Sequence, residues 1–242
     1  MSASSEKTAP KTAMVLAGGL GTRMKPLTDT LPKALVPVAG RPLIDHTLDR
    51  LAEAGVERAV VNVHHFADQV EDHLARRTMP KVTISDEREG LLDSGGGIAK
   101  ALPLLGPDPF YVANIDIVWE EGAHPALLTL AEAWDPARMD ICILLAPRER
   151  TYGYERPEGF VRAPDGRIAH SNSTDPLPPY NNLGFQILKP QLIAPYGPNR
   201  FSIVPIWKEL AAQGRLHGAV MDGYALHVSD PAALAHVEAY LA

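Results

Sequence analysis

One cysteine in 242 residues, Cys142, excludes a disulfide framework and a thiolate metal cluster. It stands inside the apolar run DICILLAP, where a buried, inert thiol is expected. No run approaches the roughly 20 apolar residues of a membrane span. The leader MSASSEKTAPK lacks the apolar stretch of a signal peptide, so a cytoplasmic protein without a membrane partner is expected. Polybasic tracts and Lys/Arg stripes are missing too. With a net charge of -6 and a pI near 5.8, the chain is not expected to bind nucleic acid. Internal repeats, low-complexity tracts and coiled-coil heptads are absent.

What is present is core-forming material. At 45% hydrophobic residues the chain can bury one large α/β domain, expected over residues 12–242 after a disordered leader at 1–11. Strand-like runs at Ala13 to Leu16, Arg58 to Val63, Val82 to Ser85, Phe110 to Asn114 and Asp140 to Leu145 alternate with helical patterns. The first helix has Pro42 near its start, Ile44, Leu48, Leu51 and Ala52 on one face, and Gly55 past its end. The second steps through Phe66, Val70 and Leu74, and the third runs from about Gly97 to Leu105. Such alternation predicts a Rossmann-like, mainly parallel (mixed) sheet with helices on both faces and ligands at the carboxyl ends of its strands. Glycine and proline thicken over residues 147–205, around GFVRA, GRIAH and NLGFQIL. There an antiparallel excursion off the main sheet is expected, an insertion serving as a lid or acceptor wall. Helices return at Ile203 to Gln213 and Ala232 to Leu241.

The first strand runs straight into LAGGLGTR, with Pro32 and Lys33 following. Glycine turns beside fixed positive charge hold phosphates, because bare backbone N–H groups reach the anion unobstructed. The turn is not a Walker loop, since Arg23 stands four residues after Gly18, nor a dinucleotide fingerprint, since Met24 stands where a third glycine is needed.

Leu16 to Arg23 with Pro32 and Lys33 resemble the signature of the sugar-1-phosphate nucleotidylyltransferases. The resemblance extends through DSGGGIAKALPLLG and VANIDIVW. KALVPVAGRPLIDHTL, HHFADQVEDHL and FSIVPIWKELAAQGRLHG bring it nearest to the branch that uridylylates N-acetylmuramate 1-phosphate in cell-wall recycling. Mannose 1-phosphate guanylyltransferases share much of the pattern. The resemblance implies the nucleotidyltransferase fold, a nucleoside triphosphate and a sugar 1-phosphate as substrates, and Mg²⁺ as cofactor, with Mn²⁺ as an alternative. It places the nucleotide over Leu16, Ala17, Gly18, Gly19, Gly21 and Thr22 with Gly96 close to the base, and the metal on Asp116. Asp93, Asn114, Asn181 and Asn182 become candidates for the sugar. A muramate lactyl carboxylate also needs a cation, for which Arg148, Arg150, Arg162 and Arg200 are available. For Asn114, satisfying backbone at a strand end is an equal alternative.

The residue types suit the chemistry. A sugar phosphate has a second pKa of about 6, so it attacks the α-phosphorus already ionised and needs no general base. A Ser/His/Asp or Cys/His arrangement is therefore not required. Catalysis rests on bringing two polyanions into line. Arg23, a forked donor, suits the β- and γ-phosphates, and Lys33, a point charge, suits the α-phosphate. One departure concerns the family's second metal-binding Asp, which in ALHVSDP is replaced by His227. Either His227 is a ligand of different character, or Asp222 or Asp230 substitutes, or the second position is empty. Other substrates, a hexose phosphate with GTP or dTTP, keep the reaction; a nucleotide-binding regulatory protein without turnover does not. His64 and His65 point to opposite sides of an extended segment and are not expected to bind metal. Trp119, Trp134 and Trp207 are expected to pack in the core or lid.

Overall fold

The apolar run after the leader becomes the centre of the molecule in the computed structural model, which describes residues 9–154 and 157–242. The first eight residues of the expected leader lie outside the described residues. In chain order the first strands are β1 (Thr12–Leu16), β2 (Pro37–Val38), β3 (Arg41–Pro42), β4 (Arg58–Val63), β5 (Lys81–Asp86), β6 (Phe110–Asn114) and β7 (Ile117–Glu120). They are followed by β8 (Ile141–Pro147), β9 (Thr151–Tyr152), β10 (Gly159–Arg162), β11 (Ile168–Ser171), β12 (Tyr180–Leu188), β13 (Leu216–Val220) and β14 (Tyr224–His227). The helices are α1 (Leu43–Glu53), α2 (Ala67–Leu74), α3 (Asp93–Leu105), α4 (Ala126–Ala133), α5 (Val204–Ala212) and α6 (Pro231–Leu241).

β5, β4, β1 and β6 lie side by side and parallel. β12 is antiparallel to both β6 and β8, and β13 runs parallel to β8. The result is a mixed, mainly parallel sheet with the expected helices on both faces. Alternation along β1 shows why: Ala13 and Val15 pack with Leu48 of α1, Val70 of α2 and Leu130 of α4, while Met14 packs with Ile98 of α3 and Ile206 of α5. A third cluster joins Met24, Val36 and Val38 to Val118, Leu226 and Val237, so the glycine-turn segment is fastened to the small sheet β7-β14-β9 and to α6.

Four differences from the sequence reading have physical reasons. Helix α3 begins at Asp93, not near Gly97, so the glycine run is its first turn. Glycine is unfavourable in a helix by about 1 kcal/mol, but a Cβ at Gly95 would lie 2.2 Å from the Phe201 ring and one at Gly96 would lie 2.1 Å from the Asn199 carbonyl. Tertiary packing overrides propensity there. Helix α4 was not expected, because its apolar sequence ALLTLAEA shows little polar alternation. β13 and β14 are short strands identified by their pairing with β8 and β7. The excursion over residues 147–205 does not stand off the sheet: β12 lies within it, and β10 and β11 extend from β12.

Asp140 fastens the far end of this arrangement. Its carboxylate accepts from Arg215 Nη2 at 2.7 Å and Nε at 2.9 Å, and from Lys189 Nζ at 2.6 Å, which joins the approaches to β8 and β13 to the end of β12. The Arg215 hydrogen bonds, with Lys189, outweigh burial and hold the carboxyl at about 2 against an ordinary 3.8. Because the folded value is the lower one, the stabilisation is complete above about pH 5 and disappears as pH falls from roughly 4 through 2. Allowing for solvent screening of the partly exposed cations, Asp140→Asn should cost about 1 to 2 kcal/mol at pH 7. Urea unfolding of both proteins should show the difference in midpoint shrinking steadily between pH 5 and pH 3; a constant difference would contradict the ion-pair account.

Candidate active site

The register of the parallel strands lines up the first elements of the site. Leu16 lies opposite Asn62 on one side and Asn114 on the other, at the carboxyl ends of β4, β1 and β6. Asn62 is buried and its Oδ1 accepts from Ala17 N at 2.8 Å and Gly18 N at 3.3 Å, fixing the start of the glycine turn. Glu87 holds Asn62 in turn, accepting from its Nδ2 at 2.9 Å. Burial raises the Glu87 carboxyl above its ordinary value, against the opposing effects of Asn62 and Lys100. Gly21 has φ +63 and faces Thr28 and Lys33, and Thr28 Oγ1 donates to its carbonyl at 2.8 Å. Buried Met24 then anchors the short turn that carries exposed Arg23.

Asp116 sits between β6 and β7 and collects partners from both ends of the chain. Lys33 Nζ donates to its Oδ2 at 2.7 Å, and His227 Nε2 lies 3.3 Å from the same oxygen. His227 is brought there by the pairing of β14 with β7, where it lies opposite Ile117, and its Nδ1 lies 3.1 Å from the Gly153 carbonyl. Burial alone would raise the Asp116 carboxyl; the Lys33 charge and then His227 more than offset it and hold the group well below the usual carboxylate range. Asp222 lies beyond the opposite end of β14, where it accepts from Ala123 N at 2.9 Å, and Asp230 caps α6 by accepting from Ala233 N at 2.9 Å. Of the three residues considered for the second position, His227 alone touches Asp116.

Two joined clefts open beside this group. The smaller, of about 250 Å³, is lined by Leu16, Ala17, Gly19, Gly21, Thr22, Arg23, Lys33, Asn114 and Asp116. The larger, of about 560 Å³, shares Arg23 and Ser229 with it and continues past Tyr152, Tyr154, Asn181, Asn182 and His227 to Phe160, His170 and Trp207. Asn181 is buried and donates to Thr151 Oγ1 at 2.7 Å; Asn182 Oδ1 accepts from Gly184 N at 2.8 Å. Gly184, with φ +71, leaves room for Asn114, whose Nδ2 would meet a Cβ there at 2.5 Å.

Other expected residues lie elsewhere. Asp93 is exposed and its Oδ1 accepts from Ser94 N at 2.6 Å, and neither cleft includes it. The face of Gly96 is filled by the Asn199 carbonyl. Arg148 is tied to the carbonyls of Pro178, Tyr154 and Glu158, Arg150 to that of Asp222, and Arg162 to that of Gly218. None of these arginines, nor Arg200, lines the larger cleft; backbone carbonyls, that of Gly218 in β13 among them, claim the first three. His64 Nδ1 lies 2.7 Å from the Glu87 carbonyl. Trp119 and Trp134 are core residues, whereas Trp207 lines the larger cleft. Sequence reasoning does not single out the supporting pair Asn62, next to the last residue of β4, and Glu87, just past β5, nor Tyr154 and His170 in the Gly- and Pro-rich stretch.

Together the clefts offer backbone amides and two cations to a polyphosphate on one side, and an aromatic, amide-lined space on the other. A family model described as the MobA-like NTP transferase domain matches residues 13–220. The chain is 50% identical over 240 residues to N-acetylmuramate alpha-1-phosphate uridylyltransferase of Caulobacter vibrioides, covering 97% of this chain and 98% of that protein. It is 25% identical to the mannose-1-phosphate guanylyltransferase catalytic subunit beta of Danio rerio, over 90% of this chain and 61% of that protein. Among solved structures it resembles UDP-glucose pyrophosphorylase complexed with UDP-glucose, with a TM-score of 0.79 at 18% identity over 96% of this chain and 98% of that one. With its glycine turn, its charged group at Asp116 and a match that spans most of its length, the chain belongs to the MobA-like NTP transferase domain family, among the sugar-1-phosphate nucleotidyltransferases.

Proposed function

We propose that the chain transfers UMP from UTP to N-acetylmuramate 1-phosphate, releasing pyrophosphate. The observation that carries this reading is the convergence of Lys33, Asp116 and His227 where the two clefts meet, beside the glycine turn. The identities of base and sugar are carried over from the Caulobacter vibrioides relative.

In this reading the amides of Gly19 to Thr22 and the guanidinium of Arg23 bind the β- and γ-phosphates. Lys33 lies along the path between the clefts and neutralises charge at the α-phosphate. A sugar-phosphate oxygen forms the new bond to the α-phosphorus, the bond to the bridging oxygen breaks, and pyrophosphate leaves with the electron pair. No side chain needs to remove a proton, because the acceptor phosphate is largely dianionic near neutrality. Lys33 and Arg23 accelerate the step by holding two anions in line.

Asp116 and His227 also suit a divalent cation. Lys33 and His227 both approach Asp116 Oδ2, and no group of three or more His, Cys, Asp or Glu side chains able to hold a metal exists among the described residues. Two protein ligands leave most of the coordination to phosphate oxygens and water, the habit of Mg²⁺; the imidazole also suits Mn²⁺. When bound, such an ion supplies charge neutralisation at the reacting phosphates.

Pyrophosphate release from four nucleoside triphosphates against several sugar phosphates tests the proposal. UTP with N-acetylmuramate 1-phosphate should be the preferred pair. Preference for a hexose phosphate with GTP or dTTP would keep the reaction and change the substrates, and no release from any pair would remove the enzymatic reading. Asp116→Asn keeps shape but loses charge, so turnover should fall by roughly 10² to 10³ while nucleotide binding, followed by calorimetry, changes much less. Lys33→Ala should lower kcat, because its charge is used as charge redistributes. Arg23→Ala should act chiefly on triphosphate affinity and on the reverse reaction with pyrophosphate. Matching steady-state profiles in the two variants would show that the division of roles is wrong.

A further inference from the structure

We infer that His170 selects acceptors that carry a carboxylate in addition to their phosphate, a conclusion that rests on the sugar-phosphate reading above. N-acetylmuramate differs from N-acetylglucosamine by a lactyl ether on O3, two ring carbons away from the carbon that bears the phosphate. With the phosphate at the junction of the clefts, the lactyl carboxylate reaches the wall that the nucleotide side does not share. That wall is built from Phe160, His170 and Trp207.

His170 is the polar group left available there. Neither ring nitrogen makes a hydrogen bond among the described residues; its ring contact is with Phe160, edge to face at 5.4 Å and 86°. Phe160 in turn meets Trp207 at 6.2 Å, so an aromatic row orients the imidazole. Trp207 Nε1 donates to Gln186 Oε1 at 2.9 Å and Asn181 donates to Thr151, while the unpartnered Tyr154 hydroxyl lies in the same cleft beside His227. The arginines of this half are held by backbone carbonyls or lie outside the cleft, and Arg23, which lines both clefts, is assigned to the triphosphate in the proposed reading.

The surrounding charges divide, with Lys208 near His170 and Glu158 on the lining of the same cleft. Burial, and then Lys208 on α5, lower the His170 pKa, while Glu158 ahead of β10 opposes them. A neutral imidazole still donates one N–H to a carboxylate. The arriving negative charge favours the protonated ring, and the hydrogen bond becomes charge-assisted. Lys208 and Glu158 are both exposed, so solvent screens the two opposing charges, and the assignment rests on the unpartnered imidazole in the cleft wall.

The test compares kcat/KM for N-acetylmuramate 1-phosphate and N-acetylglucosamine 1-phosphate, both with UTP, in wild type, His170→Ala and His170→Lys. A charge-assisted hydrogen bond corresponds to about 10- to 100-fold, so His170→Ala should lower the muramate-to-glucosamine ratio by that factor. His170→Lys should recover part of it. Thermal unfolding and direct calorimetric binding of each sugar phosphate separate a local loss from misfolding, since a folding defect lowers both acceptors together. An unchanged ratio in His170→Ala would overturn the inference while leaving the reaction intact. Wild type that does not use the muramate phosphate would instead overturn the acceptor reading on which the inference rests.

Discussion

A carboxylate withdrawn from water must be balanced, and Asp116 is balanced by side chains that are remote in sequence. Lys33 comes from the segment after the glycine turn and His227 from the end of β14, and both meet one oxygen of Asp116. An uncompensated charge at this depth would cost several kcal/mol. The three segments are therefore constrained to meet at one point, and the apolar cluster of Met24, Val38, Val118 and Leu226 supports the meeting from below. The resulting concentration of charge stands at the junction of the clefts.

The nucleotide side of the site was legible because its signals are local. A strand, a glycine turn, Arg23 and Lys33 follow one another within a short stretch, and Asp116 ends a strand run whose direction the βα alternation sets. Pro42 and Gly55 bounded α1 closely for the same reason. The acceptor side depends on contacts that local sequence does not encode. Arg148, Arg150 and Arg162 read as available cations in the sequence, and only the folded chain shows that backbone carbonyls hold them. The start of α3 was misplaced because glycine discourages helix locally, whereas Phe201 and Asn199 require it. Asp222 and Asp230 stand in the sequence as alternatives to His227, and the pairing of β14 with β7 brings His227 beside Asp116.

The supporting layer beneath the glycine turn has a simple logic. Backbone amides that bind an anion must not be used up by neighbouring carbonyls, yet the loop carrying them must be held still. Asn62 solves this by taking only Ala17 N and Gly18 N, at the start of the turn, and Glu87 keeps its amide from rotating. Gly19 has open space around it.

β12 runs against the direction of its neighbours on both sides. Parallel strands present their ends at the ligand-bearing edge, but a reversed strand presents its beginning, so Asn181 and Asn182 arrive there from the loop that precedes them. In the proposed reading the seam between β6 and β12 divides strands whose exits face the nucleotide from one whose entrance faces the acceptor. Loops feeding β12 can lengthen, shorten or change character while the β1 and β6 exits keep their geometry. On that reading, the reversed strand β12 lets acceptor contacts change without moving the exits of β1 and β6.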